Sequence, residues 1–157
     1  MEMRRQDRLV ADPDELRQIL DECHICRIAT MDEEGLYIVP MNFGYIYENG
    51  QLALFIHSAR DGRKVRAFRK NPQIAFEMDT GHELVEGRIA CQYSYRYKSI
   101  IGNSSIHELV DNIEKTKALN AMMGHLTGKA FEFNDRMLNA VAVFRIDVTS
   151  FSGKRRK

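Results

Sequence analysis

Apolar and polar positions alternate with a period of two through much of this chain, and a few windows of helical period interrupt the alternation. In residues 51–58, Leu52, Leu54 and Ile56 share one face of a strand while Ala53, Phe55 and His57 share the other, so that Ser58 emerges at its end. Earlier, Asp12-Pro13-Asp14-Glu15 supplies an N-cap, a proline at the first helical position and acids in the first turn. A helix is predicted over 13–23, with Leu16, Ile19 and Leu20 inward. Residues 24–31 favour a strand, Asp32-Glu33-Glu34-Gly35 a turn, and 36–47 a second strand. Asn49-Gly50 marks a tight hairpin turn into the strand already described. Residues 73–79 read as a fourth strand with a turn near Thr80-Gly81. A long strand over 84–92 then bends on through 93–101, where Tyr93, Tyr95 and Tyr97 share a face. Asp111 with Glu114 resembles a capping box. The helix it opens carries Leu119, Met122, Met123 and Leu126 on one face and ends near Gly128. A valine-rich strand over 139–149 closes the series.

Strands joined mainly by hairpins, with few helices between them, predict an antiparallel sheet or barrel: a mainly β protein with peripheral helices (α+β), not alternating βαβ units. No Gly-x-Gly-x-x-Gly occurs. The nearest approach to a P-loop, Gly124 to Lys129, has too short a spacing and lacks the final hydroxyl, so it reads as a helix end.

The segment with the most chemistry joins strand 51–58 to a short basic helix closed by Asn71-Pro72. Asp61 is placed to cap that helix, Gly62 lets the backbone turn closely, and Val65 and Phe68 form its inward stripe. Arg60, Arg63, Lys64, Arg66, Arg69 and Lys70 crowd around it, and Arg63 and Lys64 fall in the first turn, where cations oppose the helix dipole. A bound phosphate would offset that charge through the open amides, the Ser58 hydroxyl and the two cations. A solvated basic helix is the alternative.

At 157 residues, 44% hydrophobic and 29% charged, the chain is expected to fold as one domain over 1–157. The net charge of +1 offers no global field for nucleic acid, and the basic ends, Arg4, Arg5 and Arg8 with 154–157, read as solvated termini. No stretch reaches the length of a membrane span and the start is charged, so no membrane partner and a cytoplasmic location are expected. Cys23, Cys26 and Cys91 form no disulfide framework. Cys23-His24-Ile25-Cys26 is a lone Cys-x-x-Cys, better read as buried apolar cysteines than as a metal site. Pro40 interrupts the strand 36–47, which marks either a plain edge strand or a gap in the ladder where a ligand meets free backbone groups and the Asn42 amide.

Taken in order, Cys26-Arg27-Ile28-Ala29-Thr30, Val39-Pro40-Met41-Asn42-Phe43-Gly44-Tyr45, Phe55-Ile56-His57-Ser58, Gly62-Arg63-Lys64, Asn71-Pro72 and Tyr97-Lys98-Ser99-Ile100-Ile101-Gly102 resemble the flavin-binding split barrels of the pyridoxamine 5'-phosphate oxidase superfamily, the nitroimidazole resistance branch in particular. The resemblance implies a six-stranded antiparallel split β-barrel and a homodimer with two FMN molecules at its interface. Ser58, Arg63 and Lys64 would hold the FMN phosphate, with Arg27 a further candidate. Val39, Met41 and Asn42 would line the isoalloxazine with Phe55 and His57 beside them, and Gln92 and Ser99 would reach it from the partner subunit. The implied activity is an oxidoreductase in which FMN, recharged by a reduced nicotinamide or another electron donor, reduces a small-molecule substrate such as a nitroimidazole or other nitroaromatic. His57 is the candidate catalytic residue, since imidazole exchanges a proton near neutral pH. A haem- or deazaflavin-binding split barrel, or a non-catalytic flavin-binding one, is the alternative; oxidation of pyridoxamine phosphate is disfavoured by the short basic tail.

Overall fold

The structure, a computed structural model, describes residues 4–157. Eight strands form one antiparallel sheet: β1 (Leu9–Val10), β2 (Ile25–Asp32), β3 (Gly35–Asn42), β4 (Gly44–Glu48), β5 (Gln51–Ala59), β6 (Gln73–Val85), β7 (Ser94–Glu108) and β8 (Val141–Arg156). Four helices pack around it: α1 (Pro13–Glu22), α2 (Arg63–Lys70), α3 (Asn112–Thr127) and α4 (Asp135–Asn139). The mainly antiparallel class expected from the hairpin pattern is present. The strand number and the closure are corrected, because the sheet has eight strands in place of six and runs as an open path, β3-β2-β6-β7-β8-β5-β4, with β1 added to β8.

The open path follows from a break at Phe43. The segment expected as one strand over 36–47 divides there: β3 pairs with β2 and β4 with β5, so consecutive strands lie at opposite ends of the path. Phe43 itself is fully buried. Gly44 starts β4 against α3, with so little room that a Cβ there would lie 2.4 Å from the Met122 amide nitrogen. Close approach, not a special backbone angle, is what this glycine provides. At the next turn the backbone angle does decide: Asn49 and Gly50 both have positive φ, 51° and 77°, as the hairpin pair requires.

Three other boundaries differ from expectation. Residues 84–92 are not one strand, since Leu84 and Val85 end β6 beyond an irregularity between Thr80 and Glu83, and Ala90–Gln92 form a short 3-10 turn before β7. The five-residue α4 was not anticipated. The basic tail is no loose end either, because Lys154, Arg155 and Arg156 continue β8 and pair with β7, and Arg155 forms an ion pair with Glu15.

The main core lies inside the curl of the sheet, where Leu54, Ile56, Ile28, Met78, Ile100 and Phe144 are essentially inaccessible. Helix α2 seals one end through Val65 and Phe68, the latter edge-on to Phe144 at 5.5 Å. Burial of each such aromatic contributes on the order of 1.5–3 kcal/mol. A second, smaller core joins α3 and α4 to the outer face of β5 and β8 through Phe55, Leu119, Met122, Leu138 and Val143. Cys23 and Cys26 are buried, and burial pushes both thiols up to about 12, as inert apolar cysteines. No helix among the described residues is long and apolar enough to cross a membrane.

Candidate cofactor and substrate site

The β5–α2 junction is built as its residues suggest, with one change of partners. Gly62 is the N-cap of α2 at φ 146°, a conformation that favours glycine, and no side chain caps the helix. Asp61 does not take that role: its carboxylate accepts from the Gly62 amide and pairs with Arg66 at 2.8 Å, and these contacts hold it below the usual carboxylate range. The first-turn amides of α2 therefore remain open. Ser58 is buried at the end of β5 and its hydroxyl has no hydrogen-bond partner among the described residues.

Most of the surrounding cations are neutralised by the protein itself. Arg63 makes a bidentate pair with Asp32 at 2.7 and 3.0 Å and stacks 4.3 Å over the Tyr37 ring; Lys70 pairs with Glu33 and Arg69 with Glu108. The acids of the β2–β3 turn thus zip that hairpin to α2 around a cleft of about 250 Å³. Asp32 and Glu33 are held below their usual carboxylate range, chiefly by hydrogen bonds from Arg63 and Lys70. Lys64 has no ion pair or hydrogen bond among the described residues. It is the first-turn cation free to meet an anion, together with Ser58 and the α2 amides, and this set fits a phosphate group.

His57 lies beside Ser58 on β5 and faces the opposite side of the sheet. Its ring forms the polar wall of an apolar cavity of about 220 Å³ between β5, β8, α3 and α4. Packing around the ring, and secondarily the charge of Lys64, hold the imidazole below its ordinary value of 6.5. A histidine whose folded pKa lies below its unfolded one adds stability that is full above about pH 6.5 and is lost as pH falls through the folded value. In an NMR titration of the ring protons, the His57 midpoint is expected to lie below the ordinary 6.5; a midpoint above it would contradict the packing described.

The other predicted site residues do not all gather here. Val39 is buried and Met41 packs against the main core, so β3 presents them inward; Phe55 is buried under α3. What β3 offers outward is backbone, because it is the edge of the sheet and Pro40 lies on it, opposite Arg27 of β2. That edge begins beside α2, where Tyr37 meets Arg63, and ends at Asn42, whose amide donates to the His24 carbonyl at 2.9 Å. Arg27 is committed to Glu77 at 3.0 Å and Asp79 at 2.5 Å. Gln92 sits in the β6–β7 connection, accepting from the Arg88 amide, and Ser99 pairs across β7 with Lys154, at the far end of β8 from the Ala142 that faces Ser58. Within one chain neither comes near the β5–α2 junction. The contributions of Phe133, Met137 and Val141 to the His57 cavity had no sequence signal beyond apolarity.

An antiparallel sheet whose two ends are covalently joined at Phe43 is consistent with a split barrel, with an uncapped helix and a lysine unpartnered among the described residues beside it. A family model described as pyridoxamine 5'-phosphate oxidase matches residues 12–155, and the chain belongs to that family. It is similar over 94% of its length, at 31% identity and a TM-score of 0.80, to 86% of a candidate 5-nitroimidazole antibiotic resistance protein from Bacteroides thetaiotaomicron. At 18% identity the fold alone is shared with an FAD and haem binding protein from Mycobacterium smegmatis, with a TM-score of 0.81 over 96% of this chain and 74% of that one. The flavocytochrome Anf3 from Azotobacter vinelandii likewise shares the fold, at 18% identity and a TM-score of 0.80, over 99% and 72% of the two chains. No protein with a curated description matches the chain.

Proposed function

We propose that this protein binds FMN and reduces small nitroaromatic molecules, the flavin being recharged by a reduced nicotinamide or a comparable donor. The observation that carries the reading is the β5–α2 junction, where Ser58 at the end of β5, a Lys64 without a hydrogen-bond partner among the described residues and the uncapped α2 amides follow one another within a few residues, with His57 on the other face of β5. Bound FMN supplies the reducing electrons. The protein's own part is to hold and orient. Ser58, Lys64 and the amides take the phosphate, Gly62 allows its close approach, and Arg63 locks the rim of the corner through Asp32. The free backbone edge of β3 is suited to hydrogen bonds with the polar edge of a flavin ring. His57, neutral at pH 7, can donate or accept a proton at the substrate.

A second copy of the chain completes the site in this reading. The outer face of β2, β3 and β7 exposes Met31, Leu36, Ile38 and Ile101, a contiguous apolar surface of the kind that marks an interface. Across it, Gln92 and Ser99 of one protomer would approach the flavin of the other.

The visible spectrum of the freshly purified protein tests the reading directly. The expected result is a flavin spectrum, with FMN released on denaturation and bleaching of the bound flavin by a nicotinamide donor followed by its recovery on adding a nitroimidazole. A sharp haem band, or a colourless protein that fails to take up added FMN, would overturn it.

A further inference from the structure

We infer that the corner where β1 meets β8 and the start of β7 is a second anion site, in which Arg8, Tyr97, Lys154 and Arg156 receive a doubly charged phosphate group carried by a small molecule. It stands apart from the β5–α2 junction, because Lys154 lies at the far end of β8 from the Ala142 that faces Ser58, and it does not depend on the flavin reading.

The fold brings two basic segments of the chain together. Leu9 of β1 pairs with Lys154 and Val10 with Gly153, which lays Arg8 against the end of β8. Along the other edge of β8, Tyr97 pairs with Arg156 and Ser99 with Lys154. Side chains alternate between the two faces of a strand, so the charges here sort into two sets. One face packs against α1, whose Leu16 meets the backbone at Gly153. On that face Lys98 and Arg155 are cross-strand neighbours, and α1 answers both: Glu22 pairs with Lys98 at 2.8 Å and Glu15 with Arg155. On the opposite face Lys154 and Arg156 have no ion pair among the described residues.

Arg8 adds to that surplus. Its side chain is only 18% exposed, yet the carboxylate it meets, Asp7, stands at 4.0 Å and is already held by Arg5 through bonds of 2.8 and 2.6 Å. A largely covered guanidinium with so distant a partner gains from an anion that brings charge-assisted hydrogen bonds. Tyr97 senses the same excess of positive charge. The Lys154 ammonium lies 6.0 Å from the centroid of its ring. Packing around the ring opposes ionisation of the phenol, but Arg8 and Lys154 beside the hydroxyl outweigh it and hold the group below its ordinary value of 10.0. Two guanidinium forks, one ammonium and one phenolic hydroxyl form a donor set suited to a tetrahedral dianion. They border a groove open to solvent. With a net charge of +1 on the whole chain, the surplus is local, which suits a small ligand and not a polyanion that needs a long basic track.

The test uses the full chain labelled with 13Cζ tyrosine and inorganic phosphate as the probe at constant ionic strength, the Tyr97 signal being assigned by its loss in Tyr97→Phe. The expected result is that phosphate raises the Tyr97 titration midpoint saturably, because a bound dianion opposes formation of the phenolate, while the other tyrosines stay unmoved. Arg8→Gln combined with Lys154→Gln is expected to raise the phosphate Kd at least about tenfold, with flavin content unchanged. Arg156→Gln, at a side chain with no bond to lose among the described residues, is expected to weaken binding in the same direction without touching the fold. Two nicotinamide dinucleotides separate the sources of the group. Tighter binding of the one with a 2'-phosphate assigns the corner to a phosphorylated donor, whereas equal binding of the two beside a response to inorganic phosphate assigns it to free phosphate. No response of Tyr97 to phosphate, or a shift that chloride reproduces at the same ionic strength, would overturn the proposal. So would loss of flavin from the folded double variant, which would give the corner to the flavin phosphate of a partner copy.

Discussion

Replacing Ser58 and Lys64 together by alanine is expected to weaken FMN binding about a hundredfold while the unfolding transition stays in place. A charge-assisted hydrogen bond contributes roughly 1.5–3 kcal/mol and a neutral one about 0.5–1.5 kcal/mol, and each 1.4 kcal/mol is about a tenfold change in Kd. The fold should tolerate the change because neither side chain has a hydrogen-bond partner to lose among the described residues. Arg63→Ala should behave differently. That guanidinium is spent on Asp32, Glu34 and Tyr37, so its removal loosens the β2–β3 hairpin from α2 before it touches the phosphate. Flavin fluorescence quenching and a denaturant titration on the same samples separate the two effects. An unchanged Kd in the double variant would remove the phosphate assignment.

Gly44→Ala is expected to be the most damaging single-methyl addition, costing about 3 kcal/mol, the upper end of the range for overpacked sites. The added Cβ would lie 2.4 Å from the Met122 nitrogen and 2.5 Å from the Ala121 carbonyl carbon, both backbone atoms that no rotamer change can move. Helix α3 must then withdraw from β4, and the His57 cavity that α3 walls loses its shape along with the stability. A lowered denaturant midpoint accompanied by loss of nitroimidazole binding is the expected pair of results. A midpoint equal to that of the unaltered protein would mean that α3 rides on β4 less closely than described.

How much of this could be read in advance depended on whether the signal was local. The β5–α2 junction was legible, since an apolar run ending in His57-Ser58, a glycine and an inward pair at Val65 and Phe68 are all short-range features, and each is found in place. The division of β3 from β4 was not. Tyr37, Val39, Met41, Phe43, Tyr45 and Tyr47 keep an unbroken period of two and all pack against the same core. What changes at Phe43 is the ladder partner, a tertiary property with no trace in the pattern. The same reason hid the neutralisation of α2. Asp32 and Glu33 read as turn formers, and only the folded chain brings them to Arg63 and Lys70. Lys154 to Arg156 look like a solvated tail because charge dominates their composition, yet pairing with β7 carries the backbone on as strand. For the candidate site, the end of β5 and the glycine-led start of α2 were legible from residue types, whereas the pocket wall from α4 was not, a five-residue helix being too short to show a period.

The joint at Phe43 also bears on how the molecule comes together. The hairpins β2–β3 and β4–β5 each form from neighbouring sequence, but the β5–β8 ladder must unite residues 53–59 with 141–147, a distant pairing of the kind that slows folding. A tether of one residue holds the two hairpins at high effective concentration throughout that search. The meander of β6, β7 and β8 then has only to bridge two halves that never diffuse apart, so that assembly ends as a closing step between preformed edges.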